Sequence, residues 1–154
     1  GLQTDEEFEA FLVDRLKLVC SSEQFQAAFN ALLLRFDATL CQYISSLNTS
    51  FPIYLLSNTS SIHSRLFLDR DFPNYNLFDS FTRIHLSFEM GMVKPNVGIY
   101  EQLVTHNNLQ DHQIVFFDDN VRNVESARNY GWDAILINPI TSLHQIQEHI
   151  KTLC

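Results

Sequence analysis

Ile114-Val115-Phe116-Phe117-Asp118-Asp119-Asn120 carries four apolar residues without a break into two adjacent carboxylates. A continuous β-branched and aromatic run of this length suits a strand buried on both faces, as in a parallel α/β sheet. Residues 121–130 then follow a helical pattern that stops at Gly131. In open α/β sheets ligands bind beyond the carboxyl ends of the strands, so the Asp pair stands where such a fold does its chemistry. Two neighbouring carboxylates repel each other, and a divalent cation or a nearby lysine relieves the repulsion. The same residues also suit a solvated acidic turn capping the next helix.

Upstream of this stretch, Val97, Tyr100 and Val104 mark a helix from 97 to 104. It follows Phe88-Glu89-Met90-Gly91-Met92-Val93-Lys94-Pro95, read as a loop in which Gly and Pro frame a lone lysine. Residues 81–87 alternate loosely and suit a short strand, preceded by a helix over 62–72 and a loop over 73–76. Before these, Pro52-Ile53-Tyr54-Leu55-Leu56 is an apolar strand running into Ser57-Asn58-Thr59-Ser60. Downstream, Ala134-Ile135-Leu136-Ile137 is the last strand, and a closing helix from Thr141 turns Leu143, Ile146, Ile150 and Leu153 inward. From residue 51 on, strands and helices alternate, which predicts a parallel sheet with right-handed crossovers.

The first 47 residues read as helix only. Thr4 with Glu7, and Ser21 with Gln24, are capping-box pairs. The first opens a helix with Phe8, Phe11, Leu12, Leu16 and Val19 on its apolar side. The second opens one with Phe25, Ala28, Phe29, Leu32, Leu33 and Phe36. A third, over 37–47, carries Leu40, Tyr43, Ile44 and Leu47.

A chain of 154 residues suits one domain with a real core. Its net charge of −8 argues against a polyanion partner, because nucleic-acid binding needs a basic face, and leaves room for a small, metal-escorted anion. No apolar run is long enough to span a bilayer, and the first residues lack the regions of a signal peptide, so a soluble cytoplasmic protein with no membrane partner is expected. Cys20, Cys41 and Cys154 form no CxxC pair and are read as reduced thiols, the first two on helical faces. The six histidines show no zinc-ligand spacing.

Three polar sites thus fall at strand ends or in the loops after them: Ser57-Asn58, Lys94-Pro95, and Asp118-Asp119 with Asn123. A hydroxyl with neighbouring backbone N–H groups, an ammonium and a metal-binding carboxylate are the parts that hold a phosphoryl group. Alone, a Ser-Asn turn is usually a helix cap and a Lys before Pro a solvated loop charge. In this order they resemble motifs II, III and IV of the haloacid dehalogenase superfamily. The resemblance rests on Tyr54-Leu55-Leu56-Ser57-Asn58-Thr59 with His63, on 86–95 with Ile99-Tyr100, and on 115–120 with Asn123, Ala127 and Gly131. It covers roughly residues 1–140 and is nearest to bacterial sugar-phosphate phosphatases and the N-terminal phosphatase domain of soluble epoxide hydrolase.

That resemblance implies a Rossmann-like α/β core over 37–154 and a helical cap segment over 1–36. It implies a Mg²⁺-dependent phosphomonoester hydrolase acting on a small phosphorylated substrate such as a sugar phosphate. Ser57, the Asn58 region and Lys94 would bind phosphate. Asp119 would ligate Mg²⁺, with Asp118 and Asn123 behind it, and Lys94, Asp118 and Asp119 form the catalytic set. The superfamily also opens with a strand ending in Asp-x-Asp, whose first Asp attacks phosphorus and whose second is the acid/base. No such strand precedes Thr4. Asp69-Arg70-Asp71 is rejected as its replacement, because it follows the Ser57 motif and is succeeded by Phe72 and Pro73. A two-component receiver domain is excluded because its acidic pair comes near the chain start.

The expectation is therefore an α/β sheet lacking its first, central strand, in a chain that is an N-terminally truncated and nearly inert part of a phosphatase. The alternatives are a non-catalytic binding module and a purely structural α/β domain. Between the strands bearing Ser57 and Asp118 the sheet should show a gap, a direct pairing of the two, or association through the unpaired edges.

Overall fold

The computed structural model describes residues 3–33, 36–68 and 77–153. Asp69-Arg70-Asp71, the loop at 73–76 and Cys154 lie outside the described residues. Both capping boxes form, with Thr4 and Ser21 each exchanging two hydrogen bonds with the residue three positions on. They open α1 (Asp5–Leu16) and α2 (Ser22–Asn30), and α3 (Ala38–Leu47) follows. Among the described residues the first 47 contain no strand, as expected.

Both early helices end sooner than their apolar periods predict. In α1, Lys17 turns left-handed (φ 54°), leaving Val19 beyond the helix and fully exposed and Cys20 off any helical face. After Asn30 the stripe continues through Leu32, but Leu32 is 69% exposed. A further helical turn is stabilised by the burial of its apolar face, and Leu32 gains little of it.

Four short strands follow: β1 (Tyr54–Ser57), β2 (Arg83–Leu86), β3 (Val115–Asp118) and β4 (Asp133–Leu136). Between them lie α4 (Ser61–Leu68), a 3₁₀ turn (Leu77–Ser80), α5 (Ser87–Met90), α6 (Val97–Asn107) and α7 (Val121–Tyr130), and α8 (Ser142–Lys151) closes the chain. The α5 turn replaces the start of the predicted 88–95 loop; Gly91 (φ 65°) ends it in a left-handed conformation that suits glycine. Leu153, expected inward, lies beyond the end of α8 and is exposed.

The strands are parallel but form two separate pairs, β1 with β2 and β3 with β4. Ile53 O accepts from Thr82 N on the β2 side, while Ile114 O and Asp118 O accept from Asp133 N and Ile137 N on the β4 side. Backbone groups alternate sides along a strand. Tyr54 and Leu56 therefore point their main-chain groups away from β2, and Val115 and Phe117 away from β4. Those inner edges pair with no strand among the described residues. Of the three outcomes expected for these edges, the described residues show the two strand pairs unjoined, and Val115, Phe116 and Phe117 are half-buried rather than fully covered.

One core nevertheless joins the pairs. Leu56 of β1 and Ala134 of β4 belong to the same buried cluster as Ile99, Tyr100 and Leu103 of α6, Val124 and Ala127 of α7, and Trp132. On the other flank α3 lies against α8. The N-terminal helices attach through aromatic rings: Phe8 meets Phe25 and Phe29, and Phe29 stacks on His63 of α4 at 4.1 Å. His63 Nε2 donates to Phe29 O, and Asp5 pairs with Arg65 and accepts from Ser61. No helix among the described residues is long and apolar enough to cross a membrane.

Candidate functional site

Lys94 is the centre of the site. Its side chain, 9% exposed, reaches between the two strand pairs. Nζ lies 2.7 Å from Leu56 O on the inner edge of β1 and 2.7 Å from Asp118 Oδ2 at the end of β3. The Phe116 ring lies 5.4 Å away, adding a cation–π contact. A buried ammonium needs such partners, because desolvation without them is costly.

Asp118 is equally committed. Its Oδ1 accepts from Asn120 N at 2.8 Å and Asn123 Nδ2 at 3.0 Å, so both oxygens are engaged. Asn120 turns the chain from β3 into α7 and caps that helix by accepting from Arg122 N; Gly131 (φ 107°) ends it. Tyr100, fully buried on α6, donates its hydroxyl to Asn123 O at 3.0 Å and so ties α7 to the core. Burial, with the Asp118 carboxylate nearby, pushes the Tyr100 hydroxyl above its usual range and outweighs the opposing Ser126 contact. The phenol therefore stays neutral.

Asp119 differs sharply. It is exposed, and its carboxylate has neither a hydrogen bond nor an ion pair with any described residue. Ser57, at the end of β1, likewise offers an uncommitted hydroxyl. No three His, Cys, Asp or Glu side chains gather among the described residues. Asp119 thus supplies a single free hard-oxygen donor, which fits Mg²⁺ in part, since that ion keeps several waters and takes one or two carboxylates beside substrate phosphate.

Asn58 is not an isolated polar turn residue. Its Oδ1 accepts from Lys94 N at 2.8 Å, and its Nδ2 donates to Lys94 O at 2.9 Å. The structure thus brings together Asn58, Lys94, Asp118 and Asn123 through direct bonds, and it sets Ser57 and Asp119 at the ends of β1 and β3. Two further residues had no predicted role. Ser87 Oγ accepts from Thr59 N and donates to Thr59 O, and Ser126 Oγ donates to Pro95 O at 2.6 Å. Ser87 stands inside the 86–95 motif, which was a signal; Ser126 has none beyond lying on α7.

A loop lysine thus meets an aspartate at the carboxyl end of a parallel strand, with Ser57 at the end of β1 and the exposed Asp119 following β3, in a Rossmann-like α/β fold. The chain belongs to the haloacid dehalogenase-like hydrolases, whose family model matches residues 53–137. It is 24% identical over 135 residues to the D-ribitol-5-phosphate phosphatase of Bacteroides thetaiotaomicron, covering 86% of this chain and 66% of that protein. It therefore spans just under two thirds of that relative's length. Drimenol cyclase drtB of Aspergillus calidoustus is 29% identical over 109 residues, 68% of this chain but 20% of that enzyme.

Among solved structures, a haloacid dehalogenase family enzyme of Bacteroides thetaiotaomicron in complex with magnesium and inorganic phosphate superposes with a TM-score of 0.84 at 26% identity, covering 90% of this chain and 72% of that one. A predicted hydrolase of the same type from Porphyromonas gingivalis gives 0.83 at 25% identity, covering 96% and 75%.

Proposed function

We propose that this chain carries the cation and metal half of a Mg²⁺-dependent phosphomonoester hydrolase acting on a small phosphorylated substrate such as a sugar phosphate. The observation that carries the proposal is Lys94, held between β1 and β3 with Ser57 and Asp119 uncommitted at the same strand ends. Lys94 and Ser57 bind phosphoryl oxygens, the ammonium neutralising charge and the hydroxyl donating a hydrogen bond. Asp119 holds Mg²⁺, which supplies charge stabilisation to the phosphoryl group when bound. Asp118 and Asn123 fix the lysine and the turn that presents Asp119. Residues 1–36 form part of a cap over the site, and residues 37–154 the core.

In this reading the attacking carboxylate comes from a strand ending in Asp-x-Asp that fits between the inner edges of β1 and β3, and the chain without it is nearly inert. The relatives' names, a ribitol-phosphate phosphatase and an enzyme bound to magnesium and phosphate, support the substrate class. The test is to add an upstream Asp-x-Asp strand and follow hydrolysis of p-nitrophenyl phosphate in Mg²⁺. Hydrolysis that appears with the strand and disappears in Asp119→Ala is expected. A completed protein that stays inactive, with Asp119→Ala changing nothing, overturns it.

A second reading, a non-catalytic relative that keeps the pocket for binding, is favoured by one observation. The inner edges of β1 and β3 pair with no strand among the described residues, so no described carboxylate stands at a central strand end to attack phosphorus. Binding of Mg²⁺ and phosphate without turnover by the completed protein selects it.

A further inference from the structure

We infer that Asn58 is a positioning residue for Lys94, and that Ser87 and Ser126 complete the frame around the lysine's peptide. The inference deepens the proposed phosphatase reading, in which Lys94 is the cation at the reacting centre, but its test needs neither metal nor substrate.

A lysine ammonium sits on a flexible four-carbon stem, so its location is only as well defined as its backbone. The loop that carries Lys94 is closed by a turn bond from Asn96 N to Val93 O at 2.9 Å, but its side chains pack little. Its neighbours Met92 and Val93 are 36% and 54% exposed. What ties it to the rest of the fold at Lys94 is the Asn58 carboxamide, which spans the lysine's N–H and C=O as a neighbouring strand's peptide group would, at 2.8 and 2.9 Å. A reciprocal pair sets the orientation of a residue as well as its distance. Only an amide of this length offers both an acceptor and a donor at that reach: Asp lacks the donor and Ala has neither.

Asn58 is itself held. Ser87, 3% exposed, forms its own reciprocal pair with the N–H and C=O of Thr59, at 2.9 and 3.0 Å. From the opposite side Ser126 of α7 bonds Pro95 O at 2.6 Å. The dipeptide is therefore gripped by the loop after β1 and by α7, the two elements that flank the gap between the strand pairs. Leu56, which receives the ammonium, lies two residues before Asn58, so one turn both orients the lysine's peptide and accepts its Nζ.

The chain's three lysines make the test clean. Lys17 and Lys151 have side chains 80% and 71% exposed, against 9% for Lys94. In the ¹H–¹⁵N spectrum of the lysine ammonium groups, recorded on the full chain without metal or phosphate, Lys94 should give a protected signal that vanishes in Lys94→Met. Asn58→Ala and Asn58→Asp should each lose that signal or move it to the exposed-lysine position, while Trp132 fluorescence still reports a folded core. Asn58 is exposed, so both variants are expected to fold. Ser126→Ala should broaden the signal without abolishing it. A wild-type Lys94 signal in either folded Asn58 variant overturns the inference. Failure of the phosphatase reading shows separately, as a strand-completed protein that does not hydrolyse p-nitrophenyl phosphate in Mg²⁺, and leaves the lysine spectrum interpretable.

Discussion

Replacing Lys94 by Met removes a charge from a buried pair while keeping most of the side chain's length. The pair is close, at 2.7 Å, with the two side chains 9% and 7% exposed. Removing one partner of a buried ion pair costs about 3–5 kcal/mol, chiefly because the other charge is stranded. Asp118 would keep its bonds from Asn120 N and Asn123 Nδ2, which places the expected loss at the low end, about 3 kcal/mol. Against a total stability of about 5–15 kcal/mol the variant still folds. For a domain of this size the melting midpoint falls by roughly 6–12 °C. Urea titration followed by Trp132 fluorescence is a suitable assay, since that indole is buried 5.0 Å from Tyr100 and 5.6 Å from Phe116. Asp118→Asn should also destabilise, by leaving the ammonium with Leu56 O and the Phe116 face. The double variant, with no charge stranded, should recover about 2 kcal/mol relative to the sum of the singles. Additivity within about 0.5 kcal/mol would refute the claim that the pair is energetically coupled.

Asp119→Ala touches no intramolecular bond, so its urea midpoint should correspond to a change within about 0.5 kcal/mol. Calorimetric Mg²⁺ binding, where the unaltered chain shows it, should be lost. Tyr100→Phe removes the buried hydroxyl bond to Asn123 O and should cost about 1 kcal/mol in the same titration. For His85, burial first, then Arg83 and His106, hold the imidazole below its ordinary value of 6.5. The unfolded chain therefore binds that proton before the folded one does. Stability from this site is full above pH 6.5 and falls as the pH drops through that value. Urea midpoints measured from pH 8 down to 5 should decline less steeply for His85→Phe, and parallel declines would remove His85 as the cause.

The elements marked by local signals were the most legible in the sequence. The run into Asp118-Asp119 is a strand, Gly131 ends the next helix at φ 107°, and the Thr4 and Ser21 boxes form because their partners lie three residues away. Such signals are local, so a sequence displays them. The end of α2 was not legible, because Leu32, Leu33 and Phe36 continue the apolar period with no local stop signal. Four-residue strands, too, read alike whether one edge is paired or both. The gap between β1 and β3 was expected only through the family resemblance, by asking which strand the resemblance lacks. The grips of Ser87 on Thr59 and Ser126 on Pro95 have no periodicity at all: they join residues 28 and 31 positions apart, and only the fold brings them together.

The bond from Lys94 to Leu56 O bears directly on the proposed completion of the site. Leu56 O points into the gap, so a strand entering there in parallel would donate to the carbonyl that already holds the ammonium. A carbonyl oxygen has two lone pairs and accepts both donors. The lysine therefore need not leave β1 when the gap is filled, and an incoming carboxylate at the strand end would meet an ammonium already held by Asp118 and by the peptide frame of Asn58. On this argument the cation is preorganised before the nucleophile arrives. Most of the electrostatic half of the site is then built into the described chain, which is the arrangement that favours stabilising charge in a phosphoryl transition state over merely binding the substrate.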